Sequence, residues 1–429
     1  MSRNGIRRPA TGTTDVVVIG AGHSGLAMSA HLSAHGIDHV VLERGEIANA
    51  WRHERWDSLR LLTPNWQTRL PDYCYEGDDP DGFMSAAEVA QFITRYAGFI
   101  GATVRTGTPV RSVAQHGEDF RVCTEQYGWR CRAVVMANGA HGIANVPSLA
   151  ASLPASVRSL SAKDYRNPER LDAGGVLVVG ASATGLQLAD EIAASGREVT
   201  LAVGEHIRMP RTYRGRDIQW WLTQAGILDQ RFDQVEDLVR ARRVPSPQLV
   251  GASRTLDLNA LTARGVRIAG RLVGLDGNTA KFSGALRNEC AMADLKLARM
   301  LDNFDALATG NSLGERERFA PTRVEDSPPL TLDLVKQRVA TVIWATGFRP
   351  DYSWLQMPVF DHKGRLRHHG GFVAPGLYAL GLNFMRRRKS SFIHGAEDDV
   401  RDLGSHLVGW LRQSPSTRAA ARMEMRAGI

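Results

Sequence analysis

Short apolar runs alternate along the chain with longer stretches that have one apolar face. The first run, residues 16–19, is typical of a strand buried in a parallel sheet. A glycine-rich turn follows, and then a helix is predicted to about Ala34, with Gly36 as its C-terminal stop. A second apolar run covers residues 39–42. This order predicts a strand–helix–strand unit near the start of the chain.

The same pattern returns at residues 175–203. A shift of 160 residues places Gly20 on Gly180 and Gly36 on Gly196. Two such units predict two dinucleotide-binding folds in one chain. The predicted fold class is therefore α/β, with two Rossmann-like domains of which the second is inserted into the first. We expect residues 1–168 and 341–429 to form the first domain and residues 169–340 the inserted one.

The rest of the chain gives further elements. A capping box at Ser85 and Glu88 predicts a helix to about Ala97. Short apolar runs between residues 104 and 136 predict a β-meander. Two buried-type strands, residues 133–139 and 341–347, each end in glycine. We expect these strands to return beneath a bound nucleotide, and residue 341 to return the chain to the first domain.

The first glycine turn carries the chemistry of a dinucleotide site. Gly20, Gly22 and Gly25 have the G-x-G-x-x-G spacing, and Ser24 lies among them. The first glycine turns the chain, the second lets the backbone approach a pyrophosphate, and the third lets the helix pack closely. Glu43, 23 residues after Gly20, suits a ribose hydroxyl. The alternative is a glycine-rich turn without a ligand.

The second turn differs in ways that indicate an exchangeable cofactor. Gly180 and Gly185 are retained, Ser182 replaces the middle glycine, and Thr184 follows. Val203 stands where the first unit has Glu43, so the carboxylate that would repel a 2′-phosphate is missing.

Basic residues downstream favour NADPH at this second turn. Arg208 and Arg211 are the predicted contacts of its 2′-phosphate, and Arg214 follows them. Glu205 argues for NADH instead, which stays open. FAD is assigned to the first turn.

Other cofactor contacts are predicted from their position near the turns and strand ends. Trp51 and Arg52 either lie along a flavin or belong to an ordinary loop, and Val110 offers backbone groups to an adenine or is plain sheet. The histidines are read as ordinary residues rather than acid–base groups, and no catalytic residue is predicted. The predicted contacts are Arg44, Trp51, Arg52, Val110, Ala137, Asn138, Gly139, Thr346, Gly347, Gly381 and Asn383.

Composition adds few constraints. The net charge is +8, but dense positive charge occurs only at residues 386–389, and a polyanionic cofactor pair explains the surplus without nucleic acid. No apolar run is long enough for a bilayer, so a cytoplasmic protein without membrane contact is expected. The four cysteines are scattered without a CxxC, which indicates free thiols, no redox dithiol and no metal site.

The motifs GAGHSG, GASATG and WATGFRPDYSWL, at residues 20–25, 180–185 and 344–355, resemble those of the class B flavin-dependent monooxygenases. That group includes flavin-containing, N-hydroxylating and Baeyer–Villiger enzymes. One family motif, F-x-G-x-x-x-H-x-x-x-Y/F/W, is reduced here to its aromatic residue, Tyr165, with Ser161 at the histidine position. In the family this motif is thought to couple the domains.

The resemblance implies a reaction and its partners. NADPH passes hydride to FAD, O₂ is activated as a C4a-(hydro)peroxyflavin, and one oxygen is transferred to a small organic substrate. A homodimer is a possible assembly. Two alternatives remain: a flavin oxidoreductase that does not oxygenate, and a non-catalytic FAD-binding redox sensor.

Overall fold

A mixed sheet and a parallel sheet, each with one glycine turn at the end of a central strand, form the framework of the protein. The computed structural model describes residues 10–308, 313–414 and 416–418. The described residues contain nine α-helices: α1 (His23–Ala34), α2 (Asn49–His53), α3 (Ala86–Phe99), α4 (Ala183–Ala194), α5 (Ile218–Gln224), α6 (Leu238–Ala241), α7 (Leu258–Ala263), α8 (Leu286–Leu307) and α9 (Gly395–Arg412).

Most strands have five residues or fewer. The described residues contain β1 (Ala10–Ile19), β2 (His39–Leu42), β3 (Arg69–Leu70), β4 (Tyr73–Cys74), β5 (Val104–Arg105), β6 (Ser112–His116), β7 (Asp119–Cys123), β8 (Tyr127–Met136), β9 (Ile143–Ala144), β10 (Arg158–Ser161), β11 (Gly175–Val179), β12 (Val199–Val203), β13 (Ile207–Arg208), β14 (Thr212–Tyr213), β15 (Arg216–Asp217), β16 (Pro247–Gln248), β17 (Arg267–Gly270), β18 (Leu272–Asp276), β19 (Thr279–Phe282), β20 (Thr331–Asp333), β21 (Val339–Trp344), β22 (Phe348–Arg349), β23 (Phe372–Ala374) and β24 (Leu377–Ala379).

The first sheet joins the two ends of the chain. Its strand order is β23-β24-β8-β1-β2-β5, with β7 and β6 attached beside β8. Strand β1 pairs in parallel with β2 and β8, so that Ile19 lies between Leu42 and Met136. Because β24 pairs with β8, the segment after residue 370 lies in the same sheet as the first glycine turn.

The second sheet is entirely parallel, in the order β10-β21-β11-β12-β17. Its strand β10 lies wholly before the predicted segment 169–340, and its strand β21 runs past the end of that segment. The expectation that residue 341 returns the chain to the first domain is wrong, because β21 lies between β10 and β11. An apolar strand is needed beneath the second glycine turn, as β8 is beneath the first. The exact division into domains stays a prediction.

Most predicted elements of the first domain are confirmed. Helix α1 ends at Ala34, and the capping box at Ser85 and Glu88 has both of its hydrogen bonds. The meander is shorter than predicted and comprises β6, β7 and β8. Strand β5 instead pairs in parallel with β2, because it arrives after the crossover helix α3.

The longest helix among the described residues is α8, with 22 residues. Among the described residues, no helix is both long and apolar enough to cross a membrane.

The third glycine of each turn generates a stability prediction. A Cβ atom at Gly25 would lie 1.9 Å from the carbonyl oxygen of Gly20, and one at Gly185 would lie 1.8 Å from that of Gly180. We expect Gly25→Ala and Gly185→Ala each to lower the free energy of unfolding by at least about 2 kcal/mol, because backbone must move to admit the methyl group. Denaturant titration measures the change.

A matched control lies in α3. A Cβ atom at Gly98 meets no atom within 4 Å. Gly98→Ala should therefore leave stability unchanged or raise it by about 0.5–1 kcal/mol. Equal stability of Gly25→Ala and Gly98→Ala would contradict the close approach of helix and turn.

Candidate functional site

One large cavity lies at the carboxyl ends of the two sheets. Its volume is about 1020 Å³, at the upper limit of the roughly 300–1,000 Å³ typical of small-molecule sites. Gly20 and Gly22 of the first turn line it, and so do Ala183 and Thr184 at the start of α4. The first glycine turn and the start of the helix after the second turn therefore border the same space.

The first turn has the shape that a phosphate requires. Gly20 has φ +108°, and a Cβ atom there would lie 2.5 Å from the carbonyl oxygen of Ala137. Beside Gly22 the space is open, since a Cβ atom would meet nothing within 4 Å. No side chain caps the N-terminus of α1. Its first N–H groups are thus left for an anion from the cavity.

Unpartnered polar atoms at the same place also indicate a ligand. The hydroxyl of Ser24 and the Oδ1 atom of Asn138 are buried without a hydrogen-bond partner among the described residues. Both residues line the cavity. Buried polar atoms are normally hydrogen-bonded, so this pair fits a site whose missing partner is the cofactor.

Glu43 lines the cavity and also ties the turn together. Its carboxylate accepts a hydrogen bond from the Ala21 N–H (2.8 Å) and one from the Gly45 N–H (3.0 Å). Each carboxylate oxygen can accept a further bond, which leaves room for a ribose hydroxyl. Glu43 therefore also stabilises the turn, a structural role that its spacing from Gly20 did not predict.

The second turn repeats the first closely. Gly180 has φ +109°, and a Cβ atom there would lie 2.5 Å from the carbonyl oxygen of Ala345 at the end of β21. Ser182 precedes α4 with an extended backbone and makes no capping bond through its side chain. The residues that directly follow β8 and β21, Ala137 and Ala345, thus lie against equivalent turns.

Thirteen predicted contacts are brought together at the cavity. These are Gly20, Gly22, Ser24, Glu43, Arg44, Trp51, Val110, Ala137, Asn138, Gly139, Thr184, Gly381 and Asn383. Gly25, Gly180, Ser182 and Gly185 shape the turns without belonging to the cavity lining. Thr346 lines a separate hollow of about 300 Å³ with Asn145, and Gly347 lies beside Asn145.

The structure does not support the predicted roles of Arg208 and Arg211. The Arg208 side chain is 6% exposed and pairs with Asp257 (2.8 Å) and Asp294 (2.7 Å). The Arg211 side chain is 1% exposed and pairs with Asp217 (2.6 Å). Both guanidinium groups are neutralised inside the protein, so neither is available to a 2′-phosphate.

Arg52 also lies away from the cavity. It is exposed and donates to the carbonyl of Ile47 (3.1 Å) and the hydroxyl of Thr94 (2.9 Å). Its neighbour Trp51 does line the cavity, with the guanidinium of Arg55 over its ring at 5.2 Å. The short helix α2 turns the two adjacent side chains in different directions.

Several cavity residues were missed by sequence reasoning. Glu54 lines the cavity and forms salt bridges with Arg44 and with Lys163 (2.9 Å). His141 packs edge-on against Phe348 with ring centroids 5.3 Å apart. These residues come from separate loops that only the fold brings together, so no local motif could have identified them.

His23 is the first residue of α1 and lies within the first glycine turn. Its Nε2 atom is buried without a partner among the described residues, and burial lowers the pKa of His23 to about 4. The imidazole is therefore neutral at pH 7. It can accept or donate one hydrogen bond towards the cavity that it lines.

The altered family motif forms a local turn. The Ser161 hydroxyl donates to Asp164 (2.6 Å), which also accepts the Ser161 N–H (3.2 Å). Ala162, the next residue, lines the cavity. The position therefore connects the end of β10 to the site through a hydrogen-bonded turn.

All four cysteines are free thiols, and none lines the cavity. Cys123 pairs with Gly128 across the hairpin and Cys131 with Phe120, so the two thiols do not oppose each other. No redox dithiol is therefore available to the site.

Comparison with known proteins agrees with this geometry. Residues 17–233 match the family model described as pyridine nucleotide-disulphide oxidoreductase. An uncharacterized CzcO-like oxidoreductase of Geobacillus kaustophilus is 31% identical over 398 residues, which cover 92% of this chain and 98% of that protein. An indole-3-pyruvate monooxygenase, YUCCA8 of Oryza sativa subsp. japonica, is 28% identical over 392 residues, or 86% of each chain.

A solved flavin-containing monooxygenase from Stenotrophomonas maltophilia has the same fold. It superposes with a TM-score of 0.63 at 21% identity and covers 92% of this chain and 99% of that one. The chain therefore belongs to the pyridine nucleotide-disulphide oxidoreductase family, and it is an oxidoreductase with the two-Rossmann fold of the flavin monooxygenases.

Proposed function

We propose that the protein is an NADPH-dependent FAD-containing monooxygenase that transfers one oxygen atom from O₂ to a small organic substrate. The observation that carries the proposal is the large cavity that is lined both by the first glycine turn and by the start of α4, the helix that follows the second turn. Hydride transfer between two dinucleotides needs their reactive rings in one enclosed space. The monooxygenase among the relatives supports the oxygenating form of this chemistry.

The first turn would hold FAD. The uncapped N-terminus of α1 and the open space beside Gly22 fit its pyrophosphate, and Glu43 fits its ribose. Ser24 and Asn138 supply the unpartnered polar atoms. When bound, the flavin supplies the hydride acceptor and the reactivity with O₂. The protein's part is to position the reactants and to exclude water.

We infer that the second turn binds NADPH, but its 2′-phosphate would be met by residues other than Arg208 and Arg211. Arg271 follows β17, which lies beside β12, and its Cδ atom is 3.4 Å from the place of a Cβ atom on Gly204. Lys296 reaches the same edge and pairs with Glu205 (3.0 Å). These exposed cations lie at the end of β12, where the ribose of a bound dinucleotide is expected.

No cysteine lines the cavity, which disfavours a reductase that works through a dithiol, and the monooxygenase among the relatives supports oxygenation. A small organic substrate and O₂ are therefore the proposed reactants. Cytoplasmic location, the absence of nucleic-acid and membrane partners, and a homodimer stay predictions.

The FAD site can be tested at Gly22. Its φ of −83° suits any residue, so Gly22→Val should fold while its side chain fills the space beside the turn. We expect at least a tenfold loss of FAD affinity, measured by titrating the apoprotein and following flavin fluorescence. Gly98→Val places the same side chain on α3 as a control. Unchanged FAD affinity in Gly22→Val would contradict the assignment.

The nicotinamide preference can be tested at Arg271. We expect Arg271→Gln to lower the NADPH-over-NADH preference at least tenfold, because a charge-assisted bond to the 2′-phosphate is lost. Anaerobic stopped-flow reduction of the flavin by each cofactor measures the preference. Arg267→Gln is the control, since Arg267 begins β17, the strand that precedes Arg271, and its guanidinium donates to Gln337 (2.7 Å). An unchanged ratio in Arg271→Gln would remove Arg271 from the site.

Oxygen transfer itself is tested with ¹⁸O₂. The purified protein should be yellow, should oxidise NADPH, and should incorporate one labelled oxygen atom into an organic product. Flavin reduction that yields hydrogen peroxide without any labelled product would favour the non-oxygenating oxidoreductase. Bound FAD that NADPH and NADH both fail to reduce would favour the redox sensor. A protein that takes up no FAD would overturn the whole proposal.

A further inference from the structure

The basic segment 386–389 divides into two parts with different surroundings. Three of its side chains form salt bridges with α9: Arg386 with Asp402 (2.7 Å), Arg387 with Asp399 (3.0 Å) and Lys389 with Asp398 (2.6 Å). These three bind the segment to the helix and are already neutralised. Arg388 faces the opposite way and lines the cavity.

Arg388 is a cation with neutral neighbours. Its Nε donates to the amide oxygen of Gln230 (2.6 Å), and its guanidinium carbon lies 4.6 Å from the ring centroid of Phe384. Burial lowers the pKa of Arg388, and no acidic group offsets the effect. The guanidinium nonetheless keeps its charge, because arginine side chains are not deprotonated in proteins.

A second arginine meets the same phenylalanine. Arg242 follows α6 and lines the cavity, and it donates to the carbonyl oxygens of Phe384 (3.2 Å) and Met385 (3.4 Å). Burial lowers its pKa as well. Within residues 10–308, 313–414 and 416–418, neither Arg242 nor Arg388 forms a salt bridge with a carboxylate.

Burying two cations partly without a counter-ion costs desolvation free energy, and an anion bound in the cavity would offset that cost. The planar guanidinium matches a carboxylate, which accepts two parallel hydrogen bonds. The walls nearby are apolar. The cavity-lining side chains concerned are Leu222, Ile227, Leu228, Leu249, Phe384 and Phe392.

We propose that Arg242 and Arg388 bind the carboxylate of the substrate, which is thereby a small organic acid with an apolar body. This inference rests on the proposed function, since it names the substrate of the same cavity. A phosphate of the nicotinamide cofactor shares the required chemistry. The substrate is favoured because both arginines contact the segment after Gly381, which packs on Ser24 of the first turn, and not the end of β12.

The test compares acids with neutral isosteres on the FAD-loaded protein. Benzoate, phenylacetate and hexanoate are titrated by calorimetry beside benzamide, phenylacetamide and hexanamide. We expect at least one acid to bind at least tenfold more tightly than its amide. Arg388→Gln and Arg242→Gln should each reduce that preference about tenfold. Arg243→Gln, which changes an exposed neighbour of Arg242, should preserve it.

The other outcomes separate the explanations. Acid and amide that bind equally, or no measurable acid binding in any pair, would overturn the inference. So would a loss of NADP⁺ affinity in Arg388→Gln and Arg242→Gln with the acid preference intact, since the cations would then serve the cofactor phosphates. Flavin content is read from absorbance beforehand. A protein without flavin contradicts the proposed function, whereas flavin-loaded protein that ignores the carboxylate contradicts only this inference.

Discussion

The contact on which the site depends is the approach of each helix backbone to its own glycine turn. Gly25 and Gly185 leave no room for a side chain against the carbonyl oxygens of Gly20 and Gly180. This contact sets the helix start directly over the strand end. It aims the unpaired N–H groups of α1 and α4 into the cavity, where a phosphate is their natural partner. The same contact therefore packs the helix against the sheet and also orients the N–H groups that would bind a phosphate.

The arginines show how surroundings, and not residue type, decide what a cation does. Arg208 and Arg211 are deeply buried with carboxylates within 2.8 Å, so their charge is used inside the fold. Arg242 and Arg388 donate hydrogen bonds to carbonyl and amide oxygens, which do not neutralise their positive charges at the cavity. A buried cation needs an anion, and in the part of the chain that the structure describes only the first pair has one.

Much of the framework could be predicted from sequence because it is local. The glycine spacing, the buried runs and the Ser85 capping box each act within a few residues, and α1, β2 and α3 begin and end close to the predicted positions. Contacts between distant segments could not be predicted this way. The pairing of Arg208 with Asp257 and of Glu54 with Lys163 joins residues far apart in sequence, and β21 read alone could belong to either sheet.

The placement of β21 also explains how the two sheets meet at the site. The chain enters the second sheet through β10 and leaves it through β21, and these two strands are adjacent. The residues that follow each of them, Ala162 and Phe348, line the cavity. Both covalent connections therefore pass beside the reacting space. Any shift of one sheet against the other must change the cavity walls there, so the Ser161–Asp164 turn at the first connection is well placed to fix the distance between the two glycine turns.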